Sequence, residues 1–198
     1  MFSPMDMDKP LLDRVLQALG DVLEARGLTY ELVVVGGSSL LLLGLLERPT
    51  RDLDALAIIE DGAYVRAEPF PLPLAQAVAS VGRAFRLSED WLNPGPTDLL
   101  RFGLPEGFRE RTTLRRFGAL TLHIAGRFDQ VCFKLYAAVD QGPRSRHLQD
   151  LDELGPDRDE LLTAARWSIT YDPSPGYRSV LVETLRRLGL EDADAWLA

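Results

Sequence analysis

The chain has 198 residues, 46% of them hydrophobic and 26% charged, with a net charge of −8. That length can bury one substantial core, or one core with a helical appendage, and the acid excess excludes a general nucleic-acid coat, because Lys and Arg supply phosphate affinity. One cysteine, Cys132, excludes an internal disulfide, and the longest apolar run, residues 40–46, is too short to cross a bilayer.

Residues 10–26 set Leu12, Val15, Leu16, Leu19, Val22 and Leu23 on one stripe at helical spacing, with Gly27 as the stop. Residues 32–35 are short, branched and apolar and end abruptly at Gly36-Gly37, which predicts a buried strand. Ser38 or Ser39 caps the next segment, a leucine-rich helix that reaches residue 46 before Pro49 stops it. Residues 53–59 alternate weakly around Asp54 and predict a second strand beside the first, followed by turn chemistry at Asp61-Gly62.

Residues 60–73, with Pro69, Pro71 and Pro73, read as a loop, and residues 74–85 as a helix. Trp91 and the turn Asn93-Pro94-Gly95-Pro96 fill the next stretch. Residues 119–125 put Leu120, Leu122 and Ile124 on one face and Thr121 and His123 on the other, a half-buried third strand. Four helices follow near 128–140, 144–154, 157–170 and 177–188, punctuated by Gly142-Pro143, Gly155-Pro156 and the 173–176 turn. The expected fold class is α/β (α+β). A small mixed β-sheet flanked by helices occupies residues 1–126, and a helical C-terminal lobe, residues 127–198, packs on it.

The N-terminal ten residues lack the basic-then-apolar order of a signal peptide, and the lone thiol fits a reducing compartment. The expectation is a soluble, cytoplasmic protein with no membrane partner. Charge is unevenly placed: positions 101–146 hold nine basic residues against four acidic ones, a local +5 that leaves −13 on the rest. A basic middle in an acidic chain can hold a polyanion locally, although a solvated arginine-rich face has the same composition.

Two short patterns carry chemistry. Gly36-Gly37-Ser38, between a strand and a helix, lets the backbone approach a ligand without Cβ clashes, and the helix N-terminus offers N–H groups to a phosphate. Asp52 and Asp54, two residues apart at a strand start, project to one side. Neighbouring carboxylates repel unless a cation joins them, and Mg2+ favours a few carboxylates together with substrate phosphates. Each pattern alone is common, and a solvated strand end also yields Asp-x-Asp.

Together they are more specific. Val35-Gly36-Gly37-Ser38, an apolar helix, and Arg48-Pro49-Thr50-Arg51-Asp52-Leu53-Asp54 resemble the signature of the nucleotidyltransferase superfamily. The Arg/Thr lead-in is most similar to AbiEii-type toxins of type IV toxin–antitoxin systems and their uncharacterised relatives. Phe128-Asp129, Phe133-Lys134-Leu135, Ala137-Ala138, Arg144, Arg146 and Asp150-Leu151 with Leu154 resemble the lysine-bearing helix and downstream acidic element of those proteins. Trp91-Leu92-Asn93 is similar to the relatives too, so the resemblance covers roughly residues 30–155.

The resemblance implies a Mg2+-dependent enzyme. Asp52 and Asp54 would hold the metal, Gly36, Gly37 and Ser38 would cradle the triphosphate of an NTP, and Lys134 and Arg146 would meet its phosphates. Asp150 would hold the helical lobe against the site. The family's third carboxylate belongs on a neighbouring strand, and the strand at 119–125 offers His123 as base or metal ligand instead. His147 likewise stands where the family has an acid. Attack on the α-phosphate would release pyrophosphate and pass NMP to an RNA end such as tRNA, for which Arg109, Arg111, Arg115 and Arg116 are suited, or to a protein hydroxyl, with an antitoxin protein as partner. The alternatives are a catalytically silent nucleotide-binding or interaction module that kept the fold, and a small-molecule modifier in the manner of antibiotic nucleotidyltransferases.

Overall fold

The computed structural model describes residues 6–101, 103–142 and 145–197. Arg144, and with it the predicted start of the second C-terminal helix, lies outside the described residues. The chain divides into two compact units, Met1–Gly126 and Arg127–Ala198.

The first unit opens with α1 (Lys9–Ala25), capped by the Asp8 carboxylate, which accepts from the Leu11 N–H. Strand β1 (Tyr30–Val35) runs into α2 (Gly36–Leu43), and β2 (Leu53–Glu60) returns antiparallel to β1. Helix α2 is shorter than its leucines suggest, because Gly44 takes a left-handed conformation at its end. Lys9 Nζ donates to the Leu42 carbonyl there at 3.2 Å, where a cation suits the helix C-terminus.

The 60–73 stretch is not all loop. Asp61 and Gly62 both have positive φ and close a two-residue hairpin from β2 into β3 (Ala63–Arg66). Then come α3 (Leu72–Phe85), the two-residue β4 (Leu92–Asn93), a 3-10 turn at Gly95–Leu100 and the short α4 (Phe108–Arg111). An unpredicted strand, β5 (Thr113–Phe117), forms a hairpin with the expected one, β6 (Leu120–Ile124).

The strands form one mixed sheet in the order β3-β2-β1-β6-β5, with β4 pairing parallel to the start of β2. The register between β1 and β2 shifts between Val33 and Val34. Val34 faces Ala55 but Val33 faces Ala57, so one residue of β2 is extra. This bulge explains the weak alternation in the sequence: Leu53, Ala55 and Ile58 join the core while Asp54 and Ala57 share the opposite face. Leu12, Val15, Leu16 and Leu19 of α1 and Leu74, Ala77, Val78 and Val81 of α3 join Leu32, Val34, Leu120, Leu122 and Ile124 in that core.

The second unit is helical: α5 (Arg127–Gln141), α6 (Arg146–Leu154), α7 (Arg158–Ile169), α8 (Pro175–Arg187) and a short α9 (Ala193–Leu197) that the sequence did not announce. Asp157 and Glu160 form a reciprocal capping box on α7. Arg127 pairs with Glu160 and donates to the Leu154 carbonyl at 2.7 Å, tying α5 to α7 and to the end of α6. The expected mixed sheet flanked by helices, followed by a helical C-terminal part, is therefore the fold observed. Among the described residues no helix is long and apolar enough to cross a membrane.

Candidate nucleotide and cation site

The site is built at the end of β1. Val35, its last residue, is the register partner of Asp54. The chain then turns through Gly36 at φ +82°, a left-handed conformation that disfavours any side chain. A Cβ on Gly36 would also lie 2.5 Å from Asp54 Oδ2. The backbone conformation therefore favours glycine here, and a side chain would have to displace the Asp54 carboxylate. Gly37 is different: a Cβ there would meet Thr50 Oγ1 at 3.8 Å and Arg48 Nη2 at 4.0 Å, ordinary contact distances. Gly37 thus locates the Arg48 guanidinium beside the turn.

Ser38 is only 1% exposed. Its hydroxyl is hydrogen-bonded to the Asp52 carbonyl oxygen and lies 3.1 Å from Thr50 Oγ1, and Thr50 Oγ1 donates to the same carbonyl at 3.1 Å. A buried hydroxyl so engaged fixes the Asp52 backbone and is poorly disposed to meet a phosphate. The lead-in is tied down from the N-terminus as well. Met7 N–H donates to the Thr50 carbonyl at 2.6 Å, and Thr50 N–H returns a bond to Met7 at 2.9 Å. These bonds hold half-buried Asp52 just before β2, which starts at Leu53.

Asp54 receives a hydrogen bond from Asn93 Nδ2 to Oδ1, at 3.2 Å. Asn93 is its register partner on β4. This strand has only two residues, but it is firmly anchored. The side chain of Trp91 is fully buried and its Nε1 donates to the Val78 carbonyl at 3.0 Å, while Leu53 N–H donates to the Trp91 carbonyl at 2.6 Å.

His123 does not join this cluster. It is the register partner of Val33 on β6, two strands over from Asp54 and so roughly 10 Å away across the sheet. Its Nε2 is 2.7 Å from Glu31 Oε2. Lys134 and Asp150 of the second unit do meet each other: Lys134 Nζ lies 2.5 Å from Asp150 Oδ2, at 5% and 0% exposure. Each neutralises the other in a buried ion pair. Arg146 is exposed at the first position of α6.

The arginines assigned to RNA are partly structural. Arg109 donates to the Gly62 carbonyl at 2.6 Å and stacks over Tyr64, and Arg115 pairs with Asp13 at 3.0 Å and lies over Phe117. Arg116 is exposed on β5.

Asp52 and Asp54 offer hard carboxylate oxygens, the donor type that Mg2+ prefers, and Asp54 sits against a glycine cradle that a Cβ would fill. The donor set fits such a cation. Among the described residues no group of three or more His, Cys, Asp or Glu is placed to hold a metal, so water and substrate oxygens would complete the shell. Sequence reasoning passed over Asn93 and Arg48 as site residues. Their signals were the buried tryptophan ahead of an Asn-Pro-Gly turn and the basic lead-in before the acids.

Residues 11–93 match the model of a family described as "Nucleotidyltransferase of unknown function (DUF6036)". The matched span runs from α1 to Asn93 and takes in Gly36, Ser38, Arg48, Thr50, Asp52 and Asp54. It supports the superfamily and says nothing of closeness to AbiEii-type toxins. No curated protein and no solved structure matches the chain.

Proposed function

We propose that the chain is a Mg2+-dependent nucleotidyltransferase that moves NMP from an NTP to an RNA end or a protein hydroxyl, in the manner of the toxin of a toxin–antitoxin pair. The observation that carries the reading is the closure of Asp54 onto Gly36, within a span that matches a nucleotidyltransferase family model. Asp52 and Asp54 hold the cation. The bound cation supplies charge neutralisation at the triphosphate. The N–H groups at the start of α2 face the phosphates, and the Arg48 guanidinium lies beside Gly37 at the same turn. Ser38 and Thr50 act at one remove, by fixing the Asp52 main chain. Lys134 is left out of phosphate binding because Asp150 already holds it.

A second reading, the silent nucleotide-binding module, draws support from the amide of Asn93 beside Asp54. One experiment separates the two. The full chain is incubated with Mg2+ and each α-labelled NTP, with bulk tRNA and with protein acceptors. Label transfer is expected, falling at least about a hundredfold in Asp54→Ala and Asp52→Ala and staying within about twofold in His123→Ala. NTP binding without transfer to any acceptor would sink the enzyme in favour of the silent module.

A further inference from the structure

We propose that Asn93 sets the charge of the cation site: by filling the position beside Asp54 with a neutral amide, it gives the chain a site for one divalent cation rather than two. The inference rests on the nucleotidyltransferase reading and deepens it.

Register places Asn93 directly beside Asp54 on a parallel strand, and register partners present their side chains to the same face. The amide's orientation follows from its neighbours. Its Oδ1 accepts from the Gly95 N–H at 2.9 Å. Its Nδ2 donates to Asp54 Oδ1 at 3.2 Å and lies 3.4 Å from the Asp90 carbonyl oxygen. Flipping the amide would set oxygen against carboxylate and NH2 against N–H, so the hydrogen-bond pattern admits one assignment.

Two consequences follow. The amide oxygen belongs to the Asn-Pro-Gly turn and is turned away from a cation at Asp54. The amide nitrogen orients the Asp54 carboxylate, whose other oxygen lies over Gly36, without cancelling its charge. The acidic donors of the site are then two, Asp52 and Asp54, and their charge of −2 balances one divalent ion. A carboxylate at position 93 would bring a third negative charge against Asp54, an arrangement relieved by a second cation. Asn93→Asp keeps an oxygen to accept from Gly95, so the turn and the strand are expected to survive.

The test is titration of the full chain with Mn2+ alone, read by electron paramagnetic resonance of free and bound ion. Wild type is expected to bind one ion that is lost in Asp54→Asn, Asn93→Asp to bind two, and Asn93→Ala to hold one ion about tenfold more weakly. Wild-type binding of two ions would overturn the proposal, as would an Asn93→Ala affinity equal to wild type or an Asn93→Asp protein that is folded by circular dichroism and binds one. Those failures leave the cation reading of Asp52 and Asp54 standing. Wild type binding no ion at Asp54 would overturn both.

Discussion

The sheet end and the helical unit treat charge in opposite ways. Around β1 and β2, Asp52 and Asp54 stay half-buried; the hydroxyls of Ser38 and Thr50 bond to the Asp52 main-chain carbonyl, and the neutral amide of Asn93 donates to the Asp54 carboxylate. In the helical unit Lys134 and Asp150 are buried and meet at 2.5 Å. A neutral donor orients a carboxylate without itself cancelling its charge, whereas a buried ion pair sets two charges against each other. Both clusters look alike in sequence, as charged residues at motif spacing. The side chain that answers each charge separates a candidate site from an internal strut.

The largest effect that tests this contrast lies in the strut. Removing one partner of a buried ion pair strands the other, at roughly 3–5 kcal/mol. Lys134→Ala or Asp150→Ala should lower amide hydrogen-exchange protection across α5 and α6 by about that amount. The paired change Lys134→Met with Asp150→Leu should cost far less, because no charge is left without its partner. Full protection in Lys134→Ala combined with loss of NTP binding would make Lys134 a ligand and erase the contrast.

At the sheet end the corresponding probe is Gly36→Ala. The left-handed backbone costs an L-residue about 1–2 kcal/mol, a smaller penalty than breaking the strut. The new methyl must also displace the Asp54 carboxylate, whose Oδ2 lies 2.5 Å from it. Mn2+ affinity and transfer should therefore fall much further than stability, read by titration and urea unfolding on the same preparation. Gly37→Ala, where contacts are ordinary, should be mild in both. Equal effects from the two glycines would show that Gly36 serves the turn alone.

Glycine spacing and Asp-x-Asp made half of the site legible, because the turn conformation at Gly36 and the strand start at Asp54 are local requirements that leave local marks. What the sequence could not convey was pairing. Strand β4 has two residues, too few for any periodicity, and only its register with β2 brings Asn93 to Asp54. The reverse happened on β6, where alternation correctly separated His123 from the core residues. Yet its partner is Val33 and its hydrogen bond goes to Glu31, both invisible without the sheet order. Lys134 was legible as an unusual lysine in an arginine-rich chain, but its use depended on Asp150, sixteen positions later. Strand β5 escaped because it is mostly exposed, with Leu114 facing out at 57%, so hydrophobic burial left no pattern to read. The loop expected over 60–73 hid β3, since the prolines at 69–73 masked a hairpin that Asp61-Gly62 had announced.

The smallest effect comes from the exposed counterpart of the strut in the same unit. Arg158 makes two bonds to Asp192, at 3.0 and 2.7 Å, and Trp196 Nε1 donates to the same carboxylate at 3.0 Å. These bonds, Arg158 first and Trp196 second, pull the Asp192 carboxyl from its ordinary 3.8 to about 2. A depressed folded-state value means that the contact contributes fully above the ordinary value and is lost as pH falls from there through about 2. Both groups are solvated, so this contribution is minor beside the buried pair. The Trp196 indole N–H resonance should titrate with a midpoint near 2, and Asp192→Asn should abolish that titration. A midpoint at the ordinary carboxylate value would mean that Arg158 does not hold Asp192 in solution. The contrast within the helical unit would then sharpen to a strict one, in which burial alone makes an ion pair structural.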